Sequence, residues 1–385
     1  MTNERANHNR LWLIDFVRQA SITLVLLSHL SLSPFTKDTN VNWCLIGNGK
    51  NAVALFFLIS GFVIARTVAA RNGSLDRIRI SNFYIMRIAR IVPLIALVCL
   101  VGAILSALPN AQIGGISWTL GHTNVLFWVT MLTFTFNWLL ALNHQQYALY
   151  WDIFWSLSME EQFYFFGPWI AKISRSETTL VRVLIAVLIL APLARIAGEY
   201  LRLASPTFST FYAIDLMALG VLLHLTMQKF GPLLQEKKLL SSVLCVSGFC
   251  CVVSVLAAHE RGIDYRIMAP SAIGIGLYTF LLGGLCLTAI QKLPRFLVAG
   301  GELSYGAYLW HPLMLGLVAG CTKHLTFPLA AIVFVAATLA FAAVSYVLFE
   351  KPANTFIRKT LLKDKKDEPN PIPHTVPSND ATTVH

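Results

Sequence analysis

The chain has 385 residues, of which 56% are hydrophobic and only 13% are charged, and its mean hydropathy is +0.63. A soluble domain carries about 25% charged residues, so this composition excludes a soluble globular protein and indicates an integral membrane protein. The formal net charge of +11 gathers in short loops between apolar runs, as expected for cytoplasmic loops, and therefore does not indicate a nucleic-acid-binding surface.

Eleven apolar segments predict an all-α fold, a polytopic bundle of membrane-spanning helices. The segments are 11–32, 51–70, 91–108, 123–141, 151–171, 180–197, 208–227, 239–257, 268–290, 304–320 and 325–350. We expect a short cytoplasmic N-terminus at 1–10, a transmembrane domain at 11–351, and a cytoplasmic tail at 352–385. The tail is polar from about residue 360 and rich in proline, so we expect 352–385 to be disordered.

The first apolar segment follows a basic start, as a signal peptide would. It is longer than the apolar region of a signal peptide, it contains Arg18, and no small-residue cleavage pattern follows it. We therefore expect it to be retained as the first helix. The seven cysteines are scattered, mostly within apolar segments, and their spacing predicts neither a metal site nor a disulfide framework.

Lysines and arginines are concentrated in a few loops and in the tail after residue 349, and we expect these regions to be cytoplasmic. The loops lie at 65–90, 172–182, 228–238 and 292–295. Counting spans inward from both termini then puts 109–122 and 142–150 on the outer side. The segment 123–141 joins two loops on the same side of the membrane, so it cannot span the membrane a single time. It is predicted to be re-entrant or interfacial. The sequence thus predicts ten spans plus one irregular segment, with both termini cytoplasmic.

The first helix carries Asp15, Arg18 and His29. Ionisable groups inside a bilayer are costly, which makes each of them a functional hypothesis. Arg18 and His29 are separated by close to three helical turns, so they share one face about 16 Å apart. Asp15 lies one turn before Arg18 and can pair with it. The alternative is a structural pair of Asp15 and Arg18, with His29 reaching to the outer surface.

Two adjacent carboxylates, Glu160 and Glu161, lie within the apolar stretch WSLSMEEQFYFF. They are about 15 Å into their helix from the outer face, near the expected depth of His29. A histidine–carboxylate pair is a common device for a general base. Adjacent helical residues point about 100° apart, so only one glutamate can easily face His29. The alternative is a pair of protonated or hydrogen-bonded carboxyl groups that hold helices together.

The stretch SYGAYLWH places Ser304, Tyr305, Tyr308 and His311 on one helical face. Pro312 follows and loosens the local hydrogen bonding. A polar stripe of this kind indicates either a lined cavity or a hydrogen-bonded seam between helices.

Arg87 and Arg90 are one turn apart in FYIMRIARIVP. They are either ordinary cytoplasmic charges or a fork of guanidinium groups for phosphates. Asp215, a buried acid, is expected to pack or to pair with an arginine.

Together these motifs resemble the membrane-bound acyltransferase family 3, whose members O-acylate carbohydrates and related acceptors. The resemblance covers about residues 11–352. Six motifs in family order carry it: IDFVRQASITLVLLSH, FFLISGFVIAR, FYIMRIARIVP, WSLSMEEQFYFFGP, GELSYGAYLWHP and FEKP. Gln19 stands where members often have glycine, and Met86 stands where they often have a further arginine. Neither departure removes a proposed catalytic group.

The resemblance implies transfer of an acyl group, usually acetyl, from cytoplasmic acyl-CoA, a substrate rather than a resident cofactor. Arg18, Arg87 and Arg90 become the arginines that meet the CoA. The resemblance favours a hydroxyl of a cell-surface carbohydrate as acceptor, such as lipopolysaccharide or an exopolysaccharide, and leaves peptidoglycan and small glycosides open. It also implies the bacterial inner membrane as the location. Many relatives carry an extracellular hydrolase-like domain, which this sequence lacks after its last span. We therefore expect direct transfer or a separate polysaccharide-assembly protein as partner.

The resemblance also makes His29 the essential histidine, with Glu161 or Glu160 as its carboxylate. His29 would deprotonate the acceptor hydroxyl, whose oxygen would attack the thioester. The residues expected to line the cavity or stabilise the oxyanion are Ser304, Tyr305, Tyr308 and His311. No G-x-S-x-G nucleophile elbow is present, which favours direct transfer over an acyl-enzyme.

Two other classes of function fit parts of the pattern. A proton-coupled transporter or exporter can use the same buried His, Glu and Arg residues, although no inverted repeat with interrupted helices is evident. A membrane scaffold or receptor would not need such a buried set. Recognition of acyl-CoA distinguishes the acyltransferase from both.

Overall fold

The computed structural model describes residues 11–31, 49–107, 112–113, 116–117, 125–143, 149–202, 207–260, 267–287 and 300–362. Within these ranges the chain is almost entirely helical, which confirms the all-α prediction. The helices are α1 (Trp12–Leu30), α2 (Gly49–Asn72), α3 (Ile80–Ser106), α4 (Val125–Leu132), α5 (Phe136–Asn143), α6 (Leu149–Asp152), α7 (Phe154–Ser174), α8 (Glu177–Tyr200), α9 (Ile214–Glu236), α10 (Lys238–Glu260), α11 (Ala269–Cys286), α12 (Gly300–Thr322), α13 (Phe327–Ser345) and α14 (Lys351–Leu361).

Four short elements complete the described structure. A 3-10 turn at Thr210–Tyr212 precedes α9, and a π-helical turn at Tyr346–Glu350 joins α13 to α14. The two-residue strands β1 (Gln112–Ile113) and β2 (Ile116–Ser117) pair antiparallel.

The described residues contain eight helices long and apolar enough to cross a membrane: α1, α2, α3, α8, α9, α10, α11, and α13 with its continuation. The helices α7 and α12 have 21 and 23 residues and carry most of the polar groups of the site. At 1.5 Å per residue each is over about 30 Å long, which matches the hydrocarbon core of a bilayer. The protein is therefore a multi-pass membrane protein.

The segment predicted to be irregular, 123–141, is broken into α4 and α5. Each has eight residues and is about 12 Å long, too short to cross a bilayer alone. Between them Phe134 adopts a left-handed conformation with φ 53°. Gln162 of α7 donates to the Phe134 carbonyl at 2.7 Å, and Asn137 donates to the Phe208 carbonyl at 3.1 Å. The break is thus satisfied by protein groups, as a membrane-embedded irregular backbone requires.

Glycines allow α2 and α9 to approach closely. A Cβ atom at Gly61 would lie 2.1 Å from the Met217 carbonyl oxygen, and one at Gly220 would lie 2.0 Å from the Leu58 carbonyl oxygen. Lipid tails are as apolar as side chains, so helices in a membrane associate largely through such close packing of small residues. This contact holds the part of α2 that carries Ser60, which belongs to the site described below.

A buried ion pair joins α8 to α9. The Arg195 guanidinium donates through Nη1 to Oδ1 of Asp215 at 3.2 Å and through Nη2 to Oδ2 at 3.0 Å. Both side chains are 1% exposed. Ser271 of α11 donates to Oδ2 at 2.6 Å, and the Phe211 carbonyl accepts from Nη1 at 2.7 Å. The prediction that Asp215 pairs with an arginine is confirmed, and the pair links three helices.

The first part of the predicted tail is helical. Residues 351–361 form α14, which packs against α3. Its partly buried residues, Ala353, Asn354 and Ile357, recur at the three- and four-residue spacing of one helical face. The prediction of a disordered tail from residue 352 therefore does not hold for 352–361. Residues 363–385 lie outside the described part of the chain.

We expect Gly220→Ala to destabilise the bundle, because its new Cβ would overlap backbone atoms of α2. Overpacking of this kind costs about 1–3 kcal/mol of the free energy of unfolding. Gly320→Ala is the matched control, since no atom lies within 4 Å of its new Cβ. A thermal melt in detergent should show a lower midpoint for Gly220→Ala and an unchanged or higher midpoint for Gly320→Ala. Equal midpoints would contradict the close contact.

Candidate active site

A cavity of about 90 Å³ lies among α1, α2, α3, α7 and α12, and we call it the central cavity. Its polar lining residues are Arg18, Ser60, Arg87, Arg90, Ser156, Glu160, Glu161, Tyr164, Ser304, Tyr305 and Tyr308. Eight of the ten residues predicted from the sequence line it, and the other two are histidines. The structure therefore brings together residues from five helices that are far apart in the chain.

The two glutamates of α7 have different surroundings. Glu160 accepts a hydrogen bond from the Ser60 hydroxyl at 2.5 Å and another from the Tyr164 hydroxyl. Glu161 presents a buried carboxyl oxygen, Oε1, that has no hydrogen-bond partner among the described residues. Glu160 is thus held in place by the protein, whereas Glu161 can still accept a hydrogen bond.

Three arginines give the central cavity an excess of positive charge. The Arg87 guanidinium lies over the Tyr164 ring at 5.1 Å. Arg18 lies close enough to Arg90 and Glu160 to interact with both electrostatically. Three guanidinium groups face two carboxyl groups, so positive charge remains even when both carboxyl groups are ionised. This set suits a phosphate or another anion. Among the described residues, no cluster of His, Cys, Asp and Glu could hold a metal ion.

The structure places the predicted polar face of α12 along the wall of the central cavity. Ser304, Tyr305 and Tyr308 all line the central cavity. Tyr305 donates to the Ile91 carbonyl of α3 at 3.1 Å, and Tyr308 donates to the Ile153 carbonyl at 3.0 Å. The stripe therefore both lines a cavity and forms a seam to neighbouring helices.

Pro312 explains the position of His311. Proline has no N–H, so the Tyr308 carbonyl, four residues earlier, loses its helical donor. His311 Nδ1 lies 2.5 Å from that carbonyl oxygen. A carbonyl oxygen can only accept, so Nδ1 carries the proton and Nε2 of the neutral ring keeps its lone pair. The ring is 0% exposed, and Nε2 has no hydrogen-bond partner among the described residues.

His29 of α1 has the same tautomer, because its Nδ1 also faces a backbone carbonyl oxygen. Its Nδ1 lies 2.9 Å from the Val25 carbonyl oxygen and must donate to it. The rings of His29 and His311 lie 4.7 Å apart between centroids and are tilted by 51°. The structure thus places two imidazoles side by side, each with its Nε2 as the basic nitrogen. We call them the histidine pair.

The expected pairing of His29 with a glutamate is not present. Among the described residues, no hydrogen bond or salt bridge joins His29 to Glu160 or Glu161. The physical reason is that Ser60 and Tyr164 occupy Glu160, while α12 brings another histidine to His29. Ser60 was not predicted as a site residue, and Tyr164 was missed although it lies one turn after Glu160, a spacing that predicts contact.

A line of polar groups joins the histidine pair to the central cavity. Tyr308 lies one turn before His311 on α12, and its hydroxyl is 2.6 Å from that of Ser156. Ser156 in turn lies one turn before Glu160 on α7. Ser156 was also missed from the sequence, although the same four-residue spacing places it on the Glu160 face. The histidines and the carboxylates are thus connected, but through hydroxyl groups.

A family model described as an acyltransferase domain, Acyl_transf_3, matches residues 11–349. No curated protein and no solved structure matches the chain. The matched range contains every predicted site residue and runs from α1 into the π-helical turn. The match covers most of a multi-pass helical bundle, so the protein is a membrane acyltransferase. The chain belongs to the acyltransferase family 3.

Proposed function

We propose that the protein transfers a short acyl group, acetyl, from acyl-CoA at the cytoplasmic side to a hydroxyl of a cell-surface carbohydrate. The observation that carries the proposal is the central cavity, where Arg18, Arg87 and Arg90 meet hydroxyl groups close to the histidine pair. The protein would act in a bacterial inner membrane with both termini cytoplasmic. Its partners would be membrane lipid, acyl-CoA, the carbohydrate acceptor and a separate polysaccharide-assembly protein.

The size and charge of the central cavity support this donor. Its volume of about 90 Å³ is several times the roughly 10–15 Å³ that one buried water molecule needs, so it can hold a small group. That space suits an acetyl group better than a long acyl chain. The arginines supply donors for the anionic groups of CoA, which is a substrate and not a resident cofactor.

The histidine pair supports general base catalysis. In the proposed reaction, His29 Nε2 takes the proton from the acceptor hydroxyl, and the hydroxyl oxygen bonds to the thioester carbonyl carbon. The C–S bond then breaks, and the departing CoA sulfur takes the proton from the imidazolium. His311, whose Nε2 is also basic, lies beside His29 and can share the proton. The products are an ester and free CoA, so atoms and charges balance without a further reactant.

The hydroxyl groups of α12 are placed to stabilise the oxyanion. Hydrogen-bond donors aimed at the developing negative charge usually make the largest single contribution to stabilising the transition state of acyl transfer. Tyr305 and Tyr308 each donate to a backbone carbonyl in the free protein. Either hydroxyl would have to turn toward the substrate during the reaction. The free oxygen of Glu161 would accept a hydrogen bond from a substrate N–H or O–H group.

We expect acetyl-CoA to stabilise the folded protein, because a ligand that binds only the folded state raises its melting temperature. At 100 times Kd the gain is about 2.7 kcal/mol. The double variant Arg87→Ala, Arg90→Ala should lose this shift. The control Lys172→Ala, Arg182→Ala removes two exposed charges outside the central cavity and should keep it. If millimolar acetyl-CoA does not shift folded wild-type protein, the donor assignment is wrong.

Pro312→Ala tests the tautomer of His311. Alanine restores an N–H to the helix, which would compete with His311 Nδ1 for the Tyr308 carbonyl. We expect acyl transfer to fall while the melting temperature stays the same or rises. Release of CoA thiol from acetyl-CoA in membranes that contain the protein and its acceptor measures transfer.

His29→Ala is the reference for the same assay. Loss of a general base costs roughly 10²–10⁴ in rate, so this variant should be nearly inactive but folded. Pro312→Ala should be intermediate between it and the wild type. Full activity in Pro312→Ala would show that the tautomer of His311 does not affect transfer. Near-normal activity in His29→Ala would show that His29 is not the general base.

The two glutamates should respond differently to replacement by glutamine. Glu161→Gln breaks no hydrogen bond at Oε1 within the described structure, so the melting temperature should stay about the same while transfer falls. Glu160→Gln weakens two hydrogen bonds from hydroxyl groups and should cost about 1 kcal/mol of stability for each. Melting and thiol release on both variants measure this. Clear destabilisation by Glu161→Gln would contradict the proposed division of roles.

A further inference from the structure

A long apolar cavity lies beside α7, between this helix and α8 and α9, and we call it the apolar crevice. Its volume is about 330 Å³, which is within the range of ligand-binding cavities. Its lining along α7 begins at Met159 and ends at Ala171, a length of about 18 Å. Phe166 and Ile170 line the crevice and are also exposed. The crevice therefore opens at the perimeter of the bundle, where a membrane protein meets lipid.

Water is a poor occupant of the apolar crevice. The lining side chains that carry N–H or O–H groups are Gln162, Tyr164, Thr210 and Trp138. Thr210 donates to the Gln162 carbonyl oxygen at 2.5 Å, and the Gln162 amide donates to two other protein oxygens at 2.7 and 2.8 Å. Tyr164 donates to Glu160. A buried water molecule makes about three hydrogen bonds, and the indole of Trp138 alone does not supply them.

A hydrocarbon chain fits the apolar crevice better than water does. An unfilled cavity is destabilising in proportion to its volume, because the atoms around it lose van der Waals contacts. The opening faces the hydrocarbon of the bilayer, so a chain can enter without crossing water. Half of the hydrocarbon core is roughly 15 Å thick, which is the depth that an acyl chain of one leaflet spans. The crevice, at about 18 Å, has nearly this length.

Positive charge lies at one end of the apolar crevice. The last lining residue of α7, Ala171, is followed by Lys172 and then by Arg175, and both of these side chains are exposed. Arg182 adds a third exposed cation, and Glu177 is the one acid in 172–182. Cations next to a membrane span attract anionic lipid headgroups. The orientation proposed above puts this end on the cytoplasmic side.

We propose that the apolar crevice binds one acyl chain of an anionic phospholipid, whose headgroup lies near Lys172 and Arg175. The proposal does not depend on the proposed function. It gives the lipid a structural role, because Ile64 and Tyr164 line both the apolar crevice and the central cavity. The bound chain packs against the Tyr164 ring, whose hydroxyl donates to Glu160. The lipid thus supports one wall of the central cavity from behind.

Two other hydrocarbon chains fit the apolar crevice less well. A long acyl group of the donor would have to enter from the central cavity, past Tyr164, which is buried and hydrogen-bonded to Glu160. The lipid tail of a lipid-linked acceptor would carry its polar group on the outer side, at the end of the crevice opposite Lys172. A phospholipid of the cytoplasmic leaflet meets neither difficulty.

Filling the apolar crevice tests the proposal. Val183 and Val187 of α8 line it and are partly buried, so Val183→Trp, Val187→Trp places two indoles inside it. Ile185 and Ile189 of the same helix are exposed and do not line it, so Ile185→Trp, Ile189→Trp is the matched control. Mass spectrometry of the intact protein, purified in mild detergent, measures retained phospholipid. We expect the wild type and the control to retain it and the filled variant to lose it.

Gly167→Leu is a second filling variant, from the α7 side. The atoms nearest to a Cβ at Gly167 are those of the Phe163 ring, at 3.7–3.9 Å, so a side chain can enter the crevice without moving the backbone. It should also lose the lipid. Because a ligand that binds only the folded state stabilises it, removal of lipid should lower the melting temperature of the wild type. It should not lower the melting temperature of either filled variant.

Lys172→Gln, Arg175→Gln tests the place of the headgroup. We expect phosphatidylglycerol to bind about fivefold more weakly for each charge removed, and phosphatidylcholine, which has no net charge, to bind as before. Titration of each lipid into the detergent-solubilised protein measures this. The control Lys237→Gln, Lys238→Gln removes two exposed charges of another turn and should behave as the wild type. Unchanged affinity for phosphatidylglycerol in the first variant would overturn the headgroup position.

Three outcomes would overturn the crevice itself as a phospholipid site. The first is that folded wild-type protein retains no phospholipid. The second is that both filled variants retain as much phospholipid as the wild type. The third is that the retained molecule is a polyprenyl phosphate or an acyl-CoA, which would assign the crevice to the acceptor or to the donor. Release of thiol from acetyl-CoA by the wild type is measured separately, so failure of this proposal leaves the proposed function standing.

Discussion

The site depends on one constraint, which is that a polar group inside a bilayer must find its partner within the protein. Most polar side chains around the central cavity meet this requirement, as when Ser60 donates to Glu160 or Tyr305 donates to a carbonyl of α3. Among the described residues, two buried atoms in this region do not: Oε1 of Glu161 and Nε2 of His311. In a membrane interior such atoms are costly, so they mark the positions where a substrate can form additional bonds.

Pro312 shows how a local backbone defect supplies chemistry. In a soluble helix an interior proline is mainly destabilising, because a hydrogen bond is lost. In α12 the freed carbonyl of Tyr308 is bound instead by the neighbouring His311 ring, at 2.5 Å. The lost backbone bond is thereby replaced, and the ring is fixed with Nδ1 protonated. A residue with no functional group of its own thus sets which nitrogen of the histidine is basic.

Depth and helical face could be predicted from the sequence, and tertiary neighbours could not. The shared face of Ser304, Tyr305 and Tyr308 follows from helical spacing alone, and the broken segment 123–141 follows from counting charged loops. Depth also suggested a partner for His29, but several helices carry polar groups at a similar depth. The rotation and neighbours of α12 decide that the partner is His311. Ser60 binds a glutamate one hundred residues away, and no local pattern indicates that contact.

The distance along α1 between the Arg18 guanidinium and the His29 imidazole limits how an acyl group could be transferred directly. Arg18 lines the central cavity and His29 lies about 16 Å further along the same helix face. In the proposed reaction, a donor whose anionic groups lie near Arg18 would therefore have to extend along α1 to bring its thioester to the imidazoles. Under the proposed function, the acceptor hydroxyl would then approach from the end of the histidine pair, so that donor and acceptor would reach the reacting carbon from opposite sides of the membrane.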